Sequence, residues 1–196
     1  MEAPADLVAF IEREQPRLIR AANLLVGDRA VAEEIAQEAL LRAASRWEKV
    51  RRLGSPGGWT HRVTINLATS QLRRRRIERR ARTRVGTGEI APESQGSASD
   101  LAVRDALATL PAASQRILVL HHVLGWTAQE IADLDGASAE AMRQRLHRAR
   151  GALREALGPE FEDGGAASTS DAMVSPRTPS RPVRGRVRNE ESSDVG

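Results

Sequence analysis

The side chains with the plainest chemistry lie on the last strongly periodic stretch of the chain. Arg143, His147, Arg150 and Arg154 recur at helical spacing, with Gln144 and Arg148 beside them. Arginine and glutamine can pair bidentately with base edges in a major groove. Met142, Leu146, Ala149 and Leu153 fall one position away and predict the packed face of the same helix. A solvated basic face would look the same in isolation, so the preceding residues decide. Thr127-Ala128-Gln129-Glu130 is a capping box ahead of Ile131. The short helix it starts should end near Leu134. Asp135-Gly136-Ala137 turns the chain, and Ser138 predicts the N-cap of a long final helix. A short helix, a glycine turn and a long basic helix form a helix-turn-helix signature.

Three further constellations stand upstream. Arg73, Arg74, Arg75 and Arg76 open an arginine run that extends to Arg82. Arginines this dense surround a helix, so they suit phosphates, whose contacts position a protein without specifying sequence. The lesser alternative is a nuclear-targeting-like patch or a solvated, partly melted helix end. Glu34, Gln37, Glu38 and Leu41 lie at i, i+3, i+4 and i+7. That face is distinct from the apolar stripe Val31, Ile35, Ala39, Ala43 and Trp47, and a mixed acidic and apolar face could dock a partner helix. On these residues alone, ordinary solubilising charge is the favoured reading. In Trp59–Asn66, Trp59 and Val63 are expected in the core, with Arg62 and Asn66 one turn apart on the other side. An asparagine amide can hold a base, and a base extruded from the stack is easier to read than one in a duplex. A structural asparagine is the bland alternative.

The elements that must position these groups read as helices, and no strand pattern or internal repeat appears. One apolar stripe holds Leu7, Phe10 and Ile11 before Pro16, where a new helix is expected to start. Asp28 is the expected N-cap of a helix from about Arg29 to Trp47. Leu53-Gly54-Ser55-Pro56-Gly57-Gly58 reads as a loop, within which Ser55 as N-cap and Pro56 as first helical residue restart a helix to about Arg82. Residues 85–99 read as a flexible Gly/Ser-rich linker and 158–196 as a disordered tail. Asp100 is expected to cap the first helix of a second unit, 100–157, and Pro111 to end it.

Composition narrows the function classes. The 196 residues contain no cysteine, which removes disulfides and thiolate metal sites and favours an intracellular home. His61, His121, His122 and His147 show no metal-ligand spacing, and no phosphate loop or nucleophile elbow is present, so no catalytic residue, metal or cofactor is expected. No apolar run reaches the ~20 residues of a membrane span. The chain carries a net +4, yet residues 51–84 alone carry +10, a localisation that points to a polyanion.

In order along the chain, Ala32-Glu33-Glu34-Ile35-Ala36-Gln37-Glu38-Ala39-Leu40, Trp59–Ala68 with the arginine run, Leu110-Pro111 with Arg116, and Gly125–Ala132 with Arg143–Arg150 together resemble a sigma factor. The resemblance covers about residues 5–157 and is to the extracytoplasmic-function group of the sigma-70 family, actinobacterial type. It implies an all-α protein with region two at 5–84 and region four at 100–157. It implies two partners, core RNA polymerase and promoter DNA, in the cytoplasm, and leaves an anti-sigma factor open as a third. Glu34, Gln37, Glu38 and Leu41 would then dock polymerase. Asn66, with Arg62 beside it and the 52–58 loop around it, would hold a flipped base of the minus-ten element, and Arg73 to Arg76 would follow the backbone. Arg143, Gln144, His147 and Arg148 would face the minus-thirty-five element. The rival reading is a stand-alone helix-turn-helix regulator, which would leave the Glu34 face and the Trp59–Asn66 segment without a task.

Overall fold

The computed structural model describes residues 4–85 and 98–158, with side chains from 76 to 85 outside the description. All regular elements among them are helical. The first domain holds α1 (Ala5–Val26), α2 (Arg29–Ala44), the single turn α3 (Trp47–Val50) and α4 (Pro56–Val85). The second holds α5 (Ala98–Thr109), α6 (Ala112–Leu118), a π-helical turn (Val119–Val123), α7 (Ala128–Asp135) and α8 (Ala139–Leu157). The expected tail, except Gly158, and all but three residues of the expected 85–99 linker lie outside the described residues. Of those three, Val85 ends α4, while Ala98 and Ser99 begin α5, so Asp100 sits inside the first turn and is not its cap.

Local signals explain most boundaries. Asp28 caps α2 by accepting the Val31 N–H at 3.2 Å, and that bond is the main reason its carboxyl titrates below the usual range. Gly27, at φ 70°, closes α1 in the left-handed conformation, its N–H donating to the Asn23 carbonyl at 2.9 Å. Ser55 accepts the Gly58 N–H at 3.1 Å, so residues 56–58 belong to the first turn of α4, not to a loop. Pro16 does not restart a helix as expected. It lies within the unbroken α1, on its exposed side, where the carbonyl that loses its partner can turn to water. The expected α2 is shorter than foreseen, and Trp47 begins α3 instead.

Alanine sets the packing of the first domain. Ala21, Ala22, Ala32, Ala36, Ala39 and Ala43 are all fully buried, which lets α1 and α2 approach closely. Beneath them Leu7, Phe10, Leu18, Leu40, Trp47 and Val50 form one apolar cluster, with the Phe10 and Trp47 ring centroids 5.0 Å apart. A second cluster is larger and runs without interruption from Ala22, Leu25 and Ile65 of the first domain into Leu107, Leu120, Leu124, Ile131 and Met142 of the second. The two domains therefore share a core, which the sequence patterning did not indicate.

The helix-turn-helix closes as its sequence requires. Thr127 accepts the Glu130 N–H at 3.2 Å, and the Glu130 carboxylate accepts the Thr127 N–H at 2.8 Å, completing the box. Gly136 turns the chain at φ 66°, and Ser138 accepts the Ala141 N–H at 3.1 Å to start α8. Thr127→Ala removes the hydroxyl that accepts the Glu130 N–H and leaves the backbone half of the box in place. Chemical denaturation should show a loss of about 1 kcal/mol, and an unchanged midpoint would mean that packing alone holds α7.

Candidate nucleic-acid and partner interfaces

On α8 the sorting of faces holds. Met142, Leu146 and Ala149 are buried, Leu153 is half-buried, and Arg143, Gln144, His147 and Arg148 are exposed around a shallow concavity that Glu140 completes. Arg143 is steadied by Glu140, whose Oε2 accepts from its Nε at 3.1 Å and its Nη2 at 2.8 Å. Arg150 departs from the outward set. It is half-buried and donates from Nε to His122 Nε2 at 3.1 Å. Burial, then the neighbouring His121 and Arg150, bring His122 down to about 4, which keeps it neutral and able to accept. His121 donates from Nδ1 to the Trp126 carbonyl at 2.6 Å.

On α2 the structure brings Glu34, Gln37, Glu38 and Leu41 to one exposed face. Leu41 is 65% exposed, far more than the other large apolar side chains described. Glu38 is tied to Arg42 at 2.7 Å, and Glu33 to Arg29 at 2.9 Å. Ion pairs of this exposed i, i+4 kind contribute little to stability.

The start of α4 differs from expectation by one position. Thr60, His61, Thr64 and Ile65 are the buried residues, and Trp59 and Val63 are half-buried. The threonines enter the core because their hydroxyls donate back along the helix, Thr60 to the Pro56 carbonyl at 3.1 Å and Thr64 to the Thr60 carbonyl at 3.0 Å. Asn66 is exposed, as expected, whereas Arg62 is half-buried, its Nε without a hydrogen-bond partner among the described residues. Arg73 and Arg74 are exposed. Arg75 turns inward: it donates to the Val26 carbonyl at the end of α1 and to Asp28 Oδ2, both at 3.0 Å. That places a cation on the negative end of a helix and ties α4 to the α1–α2 corner. The side chain of Arg76 lies outside the described residues.

One buried constellation was not among the sequence candidates. Glu14, His61 and Trp126, from α1, α4 and the approach to α7, are each at most 7% exposed. The Trp126 indole N–H donates to His61 Nδ1 at 3.1 Å, which makes that nitrogen an acceptor and leaves the proton on Nε2, 2.9 Å from Glu14 Oε2. Burial opposes ionisation of Glu14. The hydrogen bonds from His61 and Arg13, with Arg17 nearby, outweigh it and bring the carboxyl down to about 2. Single glutamate, histidine and tryptophan residues so far apart in sequence carry no signal that would have paired them.

Among the described residues no group of three histidine, aspartate or glutamate side chains could hold a metal ion, and no helix is long and apolar enough to cross a membrane.

Comparison with known proteins places these surfaces in one family. Residues 10–78 match Sigma-70 region 2, and residues 100–153 match Sigma-70 region 4. The chain is 33% identical over 154 residues to the ECF RNA polymerase sigma factor SigL of Mycobacterium tuberculosis, covering 76% of this chain and 87% of that one. It is 29% identical over 148 residues to the RNA polymerase sigma-E factor of Streptomyces coelicolor, covering 76% and 84%. The fold is similar to that of the sigma factor RpoE solved in complex with the anti-sigma factor NepR from Bartonella quintana, with TM-score 0.62, 23% identity, and coverage of 79% of this chain and 98% of that one. On the arrangement of its two helical domains and on these relationships, the chain belongs to the extracytoplasmic-function sigma factors of the sigma-70 family, non-enzymatic RNA polymerase subunits that bind core polymerase and promoter DNA.

Proposed function

We propose that each surface has a separate task in starting transcription. Residues 5–84 act as region two. The α2 face of Glu34, Gln37, Glu38 and Leu41 docks core polymerase, and the observation that carries this is Leu41, a large apolar side chain left 65% exposed within an acidic rim. Asn66 and Arg62 hold an extruded minus-ten base in the pocket closed by residues 52–58, while Arg73 and Arg74 meet backbone phosphates. Residues 100–157 act as region four, with Arg143, Gln144, His147 and Arg148 turned to the minus-thirty-five element. Strand opening then draws on binding energy, with no nucleotide hydrolysed by this chain. Such a subunit works beside polymerase in the cytoplasm, and the relative solved with NepR supports an anti-sigma factor as a further partner.

Run-off transcription on a promoter library, with core polymerase alone and with the chain added, tests this reading. New start sites should appear only with both. Arg143→Ala should weaken the preferred upstream sequence about 5- to 100-fold and relax discrimination at one position. Tight duplex binding that ignores polymerase would replace this reading with that of a free-standing regulator.

A further inference from the structure

Arg143 does not face solvent alone. Glu140, one turn earlier on α8, accepts from its Nε at 3.1 Å and from its Nη2 at 2.8 Å. Both bonds end on Oε2, and Oε1 accepts no hydrogen bond among the described residues. The Arg143 and Glu140 side chains are 61% and 65% exposed, so as an i, i+3 ion pair they add little to stability. Glu140 is the one anionic side chain in the concavity of about 540 Å³ that it lines with Arg143, Gln144, His147 and Arg148. A carboxylate has no use on a surface that meets phosphates alone, since each phosphate repels it. It suits a surface that meets base edges, where some positions present hydrogen-bond donors.

The two bonds determine what each partner has left to offer. Glu140 holds the edge of the guanidinium that carries Nε and Nη2. The end of the fork, Nη1 with the second Nη2 hydrogen, remains to pair bidentately with guanine O6 and N7. Glu140 lies in the first turn of α8, just after the Ser138 cap, and the N-terminal residues of a recognition helix are those that contact base edges. Its Oε1 can accept from an exocyclic amino group. In the major groove cytosine N4 and adenine N6 supply one, but adenine sets its N7 acceptor beside N6, against the carboxylate. Guanine O6 and thymine O4 are acceptors and repel it.

We propose that Glu140 is a specificity-determining residue of the upstream interface. It accepts from the N4 amino group of a cytosine in the base pair next to the guanine that Arg143 reads, and it fixes the Arg143 fork on that guanine. This rests on the region-four role proposed above and adds to it a second base, chosen by a carboxylate instead of a cation.

The test is run-off transcription by core polymerase with the full chain, on promoters whose upstream element is randomised, with the transcribed templates sequenced. The parent chain should favour cytosine over thymine about 5- to 100-fold at one position beside a preferred guanine. Glu140→Ala should bring that cytosine preference to within about twofold of the other bases, with a smaller loss at the guanine. Glu140→Gln should instead admit adenine, because an amide accepts from N6 while it donates to N7, and the ratio of cytosine to adenine should fall about tenfold. Arg143→Ala should relax the guanine. Circular dichroism checks that each variant folds. A residue that only supports the start of α8 would lower transcription from all templates alike and would not separate Glu140→Gln from Glu140→Ala at a single base. Such a uniform loss, or an unchanged cytosine preference in Glu140→Ala, would overturn the inference, while a relaxed guanine in Arg143→Ala would leave the region-four reading standing. If neither Glu140→Ala nor Arg143→Ala alters preference at any upstream base, the region-four assignment itself fails and takes this inference with it.

Discussion

Glu34→Arg combined with Gln37→Ala should abolish promoter-directed transcription, with run-off product falling at least about 100-fold while the fold is unchanged. Both side chains are exposed, and Glu34 makes no ion pair among the described residues, so neither substitution removes a packing or pairing contact. The effect must therefore arise at the partner. In the docking proposed above, reversing the charge at Glu34 replaces an attraction with a repulsion, and like-charge contacts across an interface raise the free energy by several kcal/mol. About 3 kcal/mol corresponds to the stated 100-fold. Leu41→Ala should add a smaller loss, by removing apolar area from the centre of the same face. Native gel or interferometry measurements with core polymerase give the direct readout. Full affinity in the double variant would show that α2 is a solvated face after all.

Glu14→Leu should be the most destabilising single change in the first domain, by about 3 kcal/mol in chemical denaturation. It leaves the His61 Nε2 proton buried without its acceptor, and breaking one side of a buried pair is what makes such losses large. The same carboxyl predicts a pH dependence. Its folded value, about 2, lies below the ordinary 4.5, so its contribution is complete above about pH 4.5 and is lost as pH falls toward 2. A shift of this size corresponds to at most about 3 kcal/mol. Melting temperatures should therefore decline across that window in the parent chain and decline less in Glu14→Gln, which retains a carbonyl acceptor but has no proton to gain. Parallel curves for the two chains would remove Glu14 as the source.

The elements set by neighbouring residues could be read from the sequence. Thr127 with Glu130, Ser138, Asp28 and Ser55 each cap a helix through a bond spanning three residues, so the chemistry lies within a few letters. The outward arginines of α8 and the exposed face of α2 were legible for the same reason, since a period of 3.6 assigns faces without knowledge of a partner. The phase of α4 was not. Thr60, His61 and Thr64 count as polar in any hydropathy pattern, yet their hydrogen bonds are completed inside the protein, so Trp59 and Val63 seemed the natural core choices. Pro16 misled because a proline on the outer side of a long helix can be accommodated when its neighbours are packed elsewhere. The shared core could not be seen at all. It depends on Glu14, His61 and Trp126 meeting across 47 and 65 positions of chain, and no local periodicity encodes such a meeting.

The inward turn of Arg75 changes what the arginine run can do thermodynamically. A cation already engaged with the Val26 carbonyl and Asp28 is not available to displace the ion atmosphere of a nucleic acid. Each phosphate neutralised contributes about 0.9 to the slope of log affinity against log salt on duplex DNA. The +10 of residues 51–84 therefore overstates how many counterions this segment can release. Part of that positive charge is spent on the architecture of the helix corner, so the ionic-strength sensitivity of the first domain is gentler than its composition implies.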